Sequence, residues 1–164
     1  MLRFWWVALA MALSLPTTAL AENAPEPEQV FQDWRVLCAP DQPCQMLQSA
    51  SVGEELTSAF LLSISPSEGQ SYAVMTVPLG VYLAPGIEIH VDGRRPFKAL
   101  YEICDAQVCH AGFKLSGSVL SAFQRGLQAK VRVWTGKTQA VEFPVSLRGF
   151  SKAWAHYSKA TQEG

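Results

Sequence analysis

Residues 87–115 read IEIHVDGRRPFKALYEICDAQVCHAGFKL, and this stretch decides the fold class of the chain. Apolar and polar residues alternate over Ile87–Val91, which is the pattern of a half-buried strand. Asp92-Gly93 follows as a strong turn dipeptide, and residues 105–107 form a second turn between two further extended segments. The stretch therefore predicts three short antiparallel strands joined by tight turns.

The same pattern extends in both directions along the chain. Pro78–Gly86 is rich in proline and glycine, which excludes a long helix and permits only edge or bulge pairing. Many short strands with turns about every 8–12 residues are typical of an antiparallel β-sandwich or a barrel-like domain. We predict a mainly β fold with two short helices, one of them C-terminal. The further strands are expected at 34–38, 44–48, 57–65, 71–77, 129–135 and 138–147.

The first predicted helix covers residues 118–125, where Val119, Leu120 and Phe123 have helical spacing. We expect Ser118 to cap its start and Gly126 to end it.

The second predicted helix, near 149–159, is the clearer of the two. An apolar stripe at i, i+3, i+4 and i+7 indicates that it packs on the β core, and a partner-binding helix is the alternative. Ser146 or Ser151 is the expected cap. The stripe consists of Phe150, Ala153, Trp154 and Tyr157.

The first 21 residues have the layout of a secretory signal peptide. Arg3 gives a positive start, Phe4–Leu15 is an apolar run of 12 residues, and Ala19-Leu20-Ala21 ends in small residues. A membrane-spanning anchor needs about 20 apolar residues. We therefore expect cleavage near Ala21 and no transmembrane span in the mature chain. The expected location is the periplasm, the outer membrane or the outside of the cell.

The chain divides into three predicted parts: a signal peptide at 1–21, a flexible N-terminal arm at 22–32 and a single β-rich domain at 33–160. Removing Arg3 leaves 12 of the 13 Lys and Arg against 14 Asp and Glu, a net charge of −2. Such a weak field does not favour nucleic acid as a partner. With 49% apolar residues, disorder of the whole chain is excluded.

Four cysteines, an even number, are expected to form two disulfides in an exported chain. Three pairings are possible, and proximity in sequence favours Cys38–Cys44 and Cys104–Cys109. A metal site that recruits His90 and His110 is a weaker alternative, because the C-x5-C and C-x4-C spacings do not match zinc knuckles. We predict neither a metal nor a cofactor.

Several motifs, in this order, make the chain resemble the invasion-associated locus B family of exported α-proteobacterial proteins. The first three are W-x-V-x-C at Trp34–Cys38 followed by Cys44, V-P-L-G-V-x-L at Val77–Leu83, and G-I-x-I-x-V-D at Gly86–Asp92. Next come Cys104 and Cys109 with Ala111, and the helix end Arg125-Gly126. The last is P-V-S-L-x-G-F-x-x-A at Pro144–Ala153. The resemblance implies an exported, disulfide-bonded, β-rich domain of the cell envelope. It also implies a link to host-cell invasion in some pathogens, and it supplies no catalytic residues to carry over.

Catalytic motifs are weak in this chain, and we predict that it is not an enzyme. G-x-S-x-G, H-E-x-x-H and a phosphate-binding glycine loop are all missing from the sequence. A small periplasmic hydrolase built on His110 with Asp105 and Ser116 or Ser118 is one alternative. A glycosidase pair of Asp92 and Glu102 is weaker still. The remaining alternative is a carrier that holds a small apolar ligand inside a barrel.

The sequence has one basic cluster, formed by Arg94, Arg95 and Lys98 after the predicted turn. A solvated loop is the plain interpretation. The functional one is contact with an acidic partner, since arginine makes bidentate contacts with phosphate and carboxylate groups. We therefore predict an interaction module whose partner is an envelope protein or lipopolysaccharide. Its expected contact surface combines Pro78–Gly86 with 94–98.

Overall fold

Ten strands and two helices form the part of the chain that the structure, a computed structural model, describes: residues 28–40, 42–51 and 59–163. The predicted signal peptide and residues 22–27 of the predicted arm lie outside the described residues. The elements are β1 (Glu28–Phe31), β2 (Trp34–Leu37), β3 (Gln45–Ser51), β4 (Ala59–Ser67), β5 (Gln70–Pro78), β6 (Ile87–Val91), β7 (Phe97–Cys104), β8 (Val108–Lys114), α1 (Gly117–Arg125), β9 (Gln128–Trp134), β10 (Ala140–Ser146) and α2 (Phe150–Glu163).

The three strands predicted from residues 87–115 are β6, β7 and β8, and all pair antiparallel. Asp92 and Gly93 both have positive φ, 46° and 69°, and the Arg94 N–H donates to the Val91 carbonyl. This is the type I′ geometry that Asp-Gly favours, because its twist matches that of the strands. The predicted series of three antiparallel strands joined by turns is therefore confirmed.

All strand pairs are antiparallel, in the spatial order β1-β2-β3-β4-β5-β8-β7-β6-β9-β10. The segment 79–86, predicted to be irregular, leaves the end of β5 and crosses to β6, and on the way the Tyr82 N–H donates to the Trp134 carbonyl. β7 switches partners along its length. Residues 97–99 pair with β6, and the part from Leu100 onward pairs with β8. A strand that switches partners forms a corner between two packed layers.

The two ends of this sheet face each other across the core, which gives the predicted sandwich-like fold. The ring of Phe60 in β4 stacks on that of Phe143 in β10, with centroids 5.5 Å apart. Alternate residues of the strands point into the space between the layers, as the pleat requires. The largest fully buried side chains include Trp34, Val36, Met46, Phe60, Leu62, Ile64, Met75, Ile87 and Ile89.

The predicted C-terminal helix is α2, and its apolar stripe packs on the core. Phe150, Ala153 and Tyr157 are at most 1% exposed, and Trp154 is half-buried. The Phe150 ring contacts Trp34 edge-on at 5.1 Å and Phe123 of α1 at 5.4 Å. Among the described residues, neither helix is long and apolar enough to cross a membrane.

The expected serine caps differ from the observed ones. The N-cap of α1 is Ser116, so Ser118 lies inside the helix, whereas Gly126 ends it as predicted, its N–H donating to the Ala122 carbonyl. Ser151 also lies inside its helix, where its hydroxyl donates to the Gln124 carbonyl of α1. Ser146 precedes the last turn before α2 and donates to Asp33. The periodicity of apolar residues predicted both helices, but the serines expected to cap their first turns were wrong.

The predicted flexible arm at 22–32 extends too far, because its last residues form β1. Glu28–Phe31 pairs with β2 through a tight turn in which Gln32 adopts φ of 57°. The ladder satisfies the backbone groups that face β2, and Phe31 packs against the core. A short, mostly exposed edge strand of this kind has too little alternation to be recognised from sequence.

Gly149 provides the sharpest test of this packing. Its φ is +85°, and a Cβ atom there would overlap the Phe31 carbonyl oxygen. We expect Gly149→Ala to lower the free energy of unfolding by about 3 kcal/mol or more, through left-handed strain and displacement of β1. Gly69→Ala is the matched control, because Gly69 has φ +73° with open space around it, and about 1 kcal/mol is expected. Urea unfolding of the two variants compares these losses, and equal losses would contradict the close packing of β1.

Candidate functional site

Both disulfides favoured by sequence proximity are present. Cys38–Cys44 closes the loop between β2 and β3, and Cys104–Cys109 joins residues that face each other across the β7–β8 pairing. No cysteine is left as a free thiol. Among the described residues, no group of three His, Cys, Asp or Glu side chains could hold a metal ion. The cysteines therefore act as local cross-links in this fold.

His110 lies beside a hydroxyl and a carboxylate, but not the hydroxyls that we expected. Its Nδ1 is 3.0 Å from the Thr76 Oγ1 in a cross-strand pair, and its Nε2 is 3.8 Å from an Asp105 oxygen. Ser116 caps α1 and Ser118 lies within it. Thr76 sits in the middle of β5 with ladders on both sides, so its neighbouring backbone N–H groups are not aimed at a substrate. This geometry does not favour a hydrolase.

Asp105 has a structural task in the β7–β8 turn. One of its carboxylate oxygens accepts hydrogen bonds from the backbone N–H groups of Gln107 and Val108, at 2.7 and 2.8 Å. These two bonds, with a smaller contribution from His110, lower the pKa of the Asp105 carboxyl. A carboxylate held in its charged form by backbone donors suits a turn better than proton transfer.

The other carboxylates that we considered also have structural partners. Asp92 accepts hydrogen bonds from the backbone N–H groups of Leu127 and Gln128, at 3.1 and 3.0 Å. Glu102 accepts a hydrogen bond from the Tyr72 hydroxyl, and this bond raises the pKa of Tyr72. The two carboxylates thus serve separate local contacts rather than one glycosidase pair.

Three arginines line a surface cavity of about 350 Å3 between the β6–β7 loop and α1, which we call the arginine groove. Arg94 and Arg95 come from the loop, as expected, and Arg125 comes from the last turn of α1. All three are exposed, and none has a carboxylate partner among the described residues. The other lining residues are hydroxyls and apolar side chains: Ser118, Ser121, Val91, Phe97, Val119 and Ala122.

Lys98 does not line this groove. Its ammonium lies 3.2 Å from Glu88 in β6, because Phe97 lines the groove and the next residue of a strand points to the opposite face. Burial alone would raise the pKa of the Glu88 carboxyl, but Lys98, helped by His90 and Arg132, brings that pKa below its ordinary value. Lys98 therefore belongs to an ion-pair cluster on the outer face of the sheet.

Asp92 also holds the arginine groove together. Its bonds to Leu127 and Gln128 tie the β6–β7 turn to the residues just after α1, which fixes Arg94 relative to Arg125. Leu127 itself is 73% exposed, the most exposed large apolar side chain among the described residues. Sequence reasoning missed Arg125 and Leu127 because they are at least 27 positions away from the basic cluster. The Arg125-Gly126 helix end was their only signal.

The segment Pro78–Gly86 does not join the arginine groove. It lies before the first residue of β6, whereas Arg94 follows the last, so the two are separated by the length of that strand, roughly 17 Å. Leu79, Tyr82 and Leu83 are exposed there, beside a small apolar cleft of about 110 Å3. The two parts of the contact surface that we expected therefore lie apart, and whether one partner contacts both stays a prediction.

The chain is similar to known proteins in sequence and in structure. A model of the invasion associated locus B protein family matches residues 34–158. The Invasion protein B homologs of Brucella abortus strain 2308 and of Brucella abortus biovar 1 strain 9-941 are each 28% identical over 159 residues, covering 93% of this chain and 90% of theirs. The crystal structure of invasion associated protein b from Bartonella henselae has a TM-score of 0.71 at 17% identity, covering 84% of this chain and 99% of that one. At that identity, the likeness shows the fold alone.

The role of Asp105 predicts a pH dependence of stability. Because its pKa is lowered in the folded state, its contribution is complete above the unfolded pKa of about 3.9 and is lost as the pH falls through the folded pKa. We expect Asp105→Ala to be less stable than the wild type in urea at about pH 7, with a gap that narrows below about pH 4. Asp105→Asn keeps an acceptor oxygen without a titrating group, so it should retain part of the stability at any pH. A wild-type advantage over Asp105→Ala that stays constant down to about pH 2 would contradict this role.

Proposed function

The chain belongs to the invasion associated locus B family, and on that premise we propose that it is an exported, disulfide-bonded, non-enzymatic protein of the cell envelope that acts as an interaction or accessory module. The layout of its first 21 residues and its two local disulfides support export to an oxidising compartment. The names of its relatives support a further step: in a pathogen, the same module takes part in host-cell invasion.

One observation supports the interaction role: three arginines converge on one cavity, and none of them has a carboxylate partner among the described residues. Arginines on a protein surface are commonly paired, and Arg132 in this fold bonds Glu142 at 2.6 Å. Arg94, Arg95 and Arg125 instead face the same open groove, where guanidinium groups can make bidentate hydrogen bonds to phosphate or carboxylate oxygens. The groove thus has the charge and the donor geometry for an anionic group.

The rest of the groove favours lipopolysaccharide over an acidic protein. Beneath the arginines lie the apolar side chains of Val91, Phe97 and Val119, so the cavity combines cations with an apolar wall. Leu127, two positions after Arg125, adds an exposed apolar side chain, and its backbone N–H is held by Asp92. A phosphorylated lipid combines an anionic headgroup with apolar acyl chains, and an exposed leucine beside cations is a common membrane-surface contact.

Two other functions have less support. A hydrolase would need His110 in a cleft with an accessible nucleophile, whereas its hydroxyl neighbour Thr76 lies in the middle of a strand. A carrier of a small apolar ligand would need an interior cavity, whereas the space between the two layers is filled by large side chains such as Trp34, Phe60 and Phe143.

Export is tested by the mass of the purified protein. We expect the chain recovered from the periplasmic or membrane fraction to begin at Glu22, because Ala19 and Ala21 suit the signal peptidase. Ala21→Leu puts a bulky residue at the cleavage position and should leave the uncleaved precursor. A wild-type chain that keeps Met1 and stays in the cytoplasm would contradict export.

The partner is tested with vesicles that contain purified lipopolysaccharide in phosphatidylcholine. We expect Arg94→Ala/Arg95→Ala to weaken sedimentation with these vesicles roughly thirtyfold, because each arginine near an anionic surface contributes about 1 kcal/mol. The loss should be largest at low salt. Lys98→Ala/Lys137→Ala removes the same charge outside the groove and serves as the control.

Leu127→Ser separates the lipid contribution from the charge contribution. It should weaken vesicle binding roughly tenfold while leaving the salt dependence unchanged, because it removes apolar contact only. Binding of the wild type to phosphatidylcholine alone, or equal losses for the groove and control variants, would overturn the lipopolysaccharide proposal. If the arginine variant loses envelope association in cells although the wild type ignores the vesicles, the partner is an acidic protein.

A further inference from the structure

A second surface groove, of about 1020 Å3, lies beside the C-terminal helix, and we call it the α2 groove. It lies between three parts of the chain: the loop closed by Cys38–Cys44, the β4–β5 hairpin around Gly69, and the C-terminal half of α2. The helix residues that line it include Trp154, Tyr157, Ser158 and Thr161, which share one face of α2. Its volume matches the upper range of known small-molecule sites.

The described lining of the α2 groove is uncharged. It contains no Asp, Glu, Lys, Arg or His, in contrast to the arginine groove. Asp41, in the disulfide loop, lies outside the described residues. Instead of charge, the lining combines prolines, an indole ring, hydroxyls and primary amides. An uncharged lining gives no Coulomb attraction to phosphate, carboxylate or ammonium groups, so it favours a neutral ligand.

Each of the three walls presents one exposed glutamine to the groove: Gln42 from the disulfide loop, Gln70 from the hairpin and Gln162 from α2. A primary amide offers both donors and an acceptor. Within the described part of the chain, no side-chain hydrogen bond occupies these three amides or the indole N–H of Trp154, so all four groups are available to a ligand.

The groove is held open by contacts within its walls. The disulfide fixes the ends of the first loop, and the type I′ turn at Glu68 and Gly69, with φ of 50° and 73°, fixes the hairpin. The Tyr157 hydroxyl lies 3.4 Å from the Ser71 Oγ, which ties α2 to β5. Since these contacts exist without a ligand, the walls of the groove are preorganised, which lowers the entropic cost of binding.

From these observations we propose that the α2 groove binds an uncharged oligosaccharide. Sugar hydroxyls both donate and accept hydrogen bonds, as amides do, and the C–H faces of a pyranose ring pack against apolar surfaces such as Trp154 and the prolines. An apolar ligand would leave the amides unpaired, which is costly on burial. The site is independent of the arginine groove and of the function proposed for it.

The test uses the disulfide-intact mature chain and two neutral trisaccharides, chitotriose and maltotriose. We expect one of them to bind in calorimetry and to shift one indole N–H signal in the NMR spectrum, which Trp154→Phe assigns. Gln70→Ala/Gln162→Ala should weaken this binding roughly tenfold, because two hydrogen bonds are lost. Gln124→Ala/Gln139→Ala removes two exposed glutamines outside the groove and should bind like the wild type.

Two results would overturn the proposal. They are the failure of both trisaccharides to bind and equal binding by the two glutamine variants. Arg94→Ala/Arg95→Ala should bind the sugar like the wild type. Loss of vesicle binding with retained sugar binding therefore separates the two proposals, and either can fail alone.

Discussion

Trp34 joins the beginning of this fold to its end. Its indole N–H donates to the carbonyl of Ser146, 112 positions later, at 3.0 Å, and its ring contacts Phe150 at the start of α2. The side chain is fully buried, so this hydrogen bond also satisfies a donor that would be costly to leave unpaired. Through these two contacts, one residue of β2 sets where β10 stops and where the C-terminal helix begins.

The positions of both candidate sites depend on these contacts of Trp34 with Ser146 and Phe150. Phe150 also contacts Phe123, which positions α1 and with it Arg125 at the edge of the arginine groove. The helix that begins at Phe150, α2, continues to Trp154 and Thr161, which form one wall of the α2 groove. One aromatic cluster thus supports both a cationic surface and a groove whose described lining is uncharged. The two surfaces differ in chemistry because only one of them gathers arginines.

The parts of the structure that depend on neighbours in sequence could be predicted, and those that depend on distant contacts could not. Alternation and turn residues identified the meander from Ile87, and the short spacing of the cysteines identified the disulfides. Of the basic cluster, only Arg94 and Arg95 line the arginine groove. Phe97 lines the groove, so strand alternation turns Lys98 away from it, while Arg125 joins it only through the tertiary bond network of Asp92. The α2 groove draws on three remote segments and leaves no local pattern.

The separation between Trp34 and Ser146 also has a consequence for the order of folding. Contacts so distant in sequence are slow to form, since a long loop must close first. The two disulfides have no such delay. Each spans only five or six positions, so its two cysteines can meet before the distant contacts of the core have formed. Covalent cross-linking and the completion of the core are therefore separable in time, and oxidation does not have to wait for the native topology.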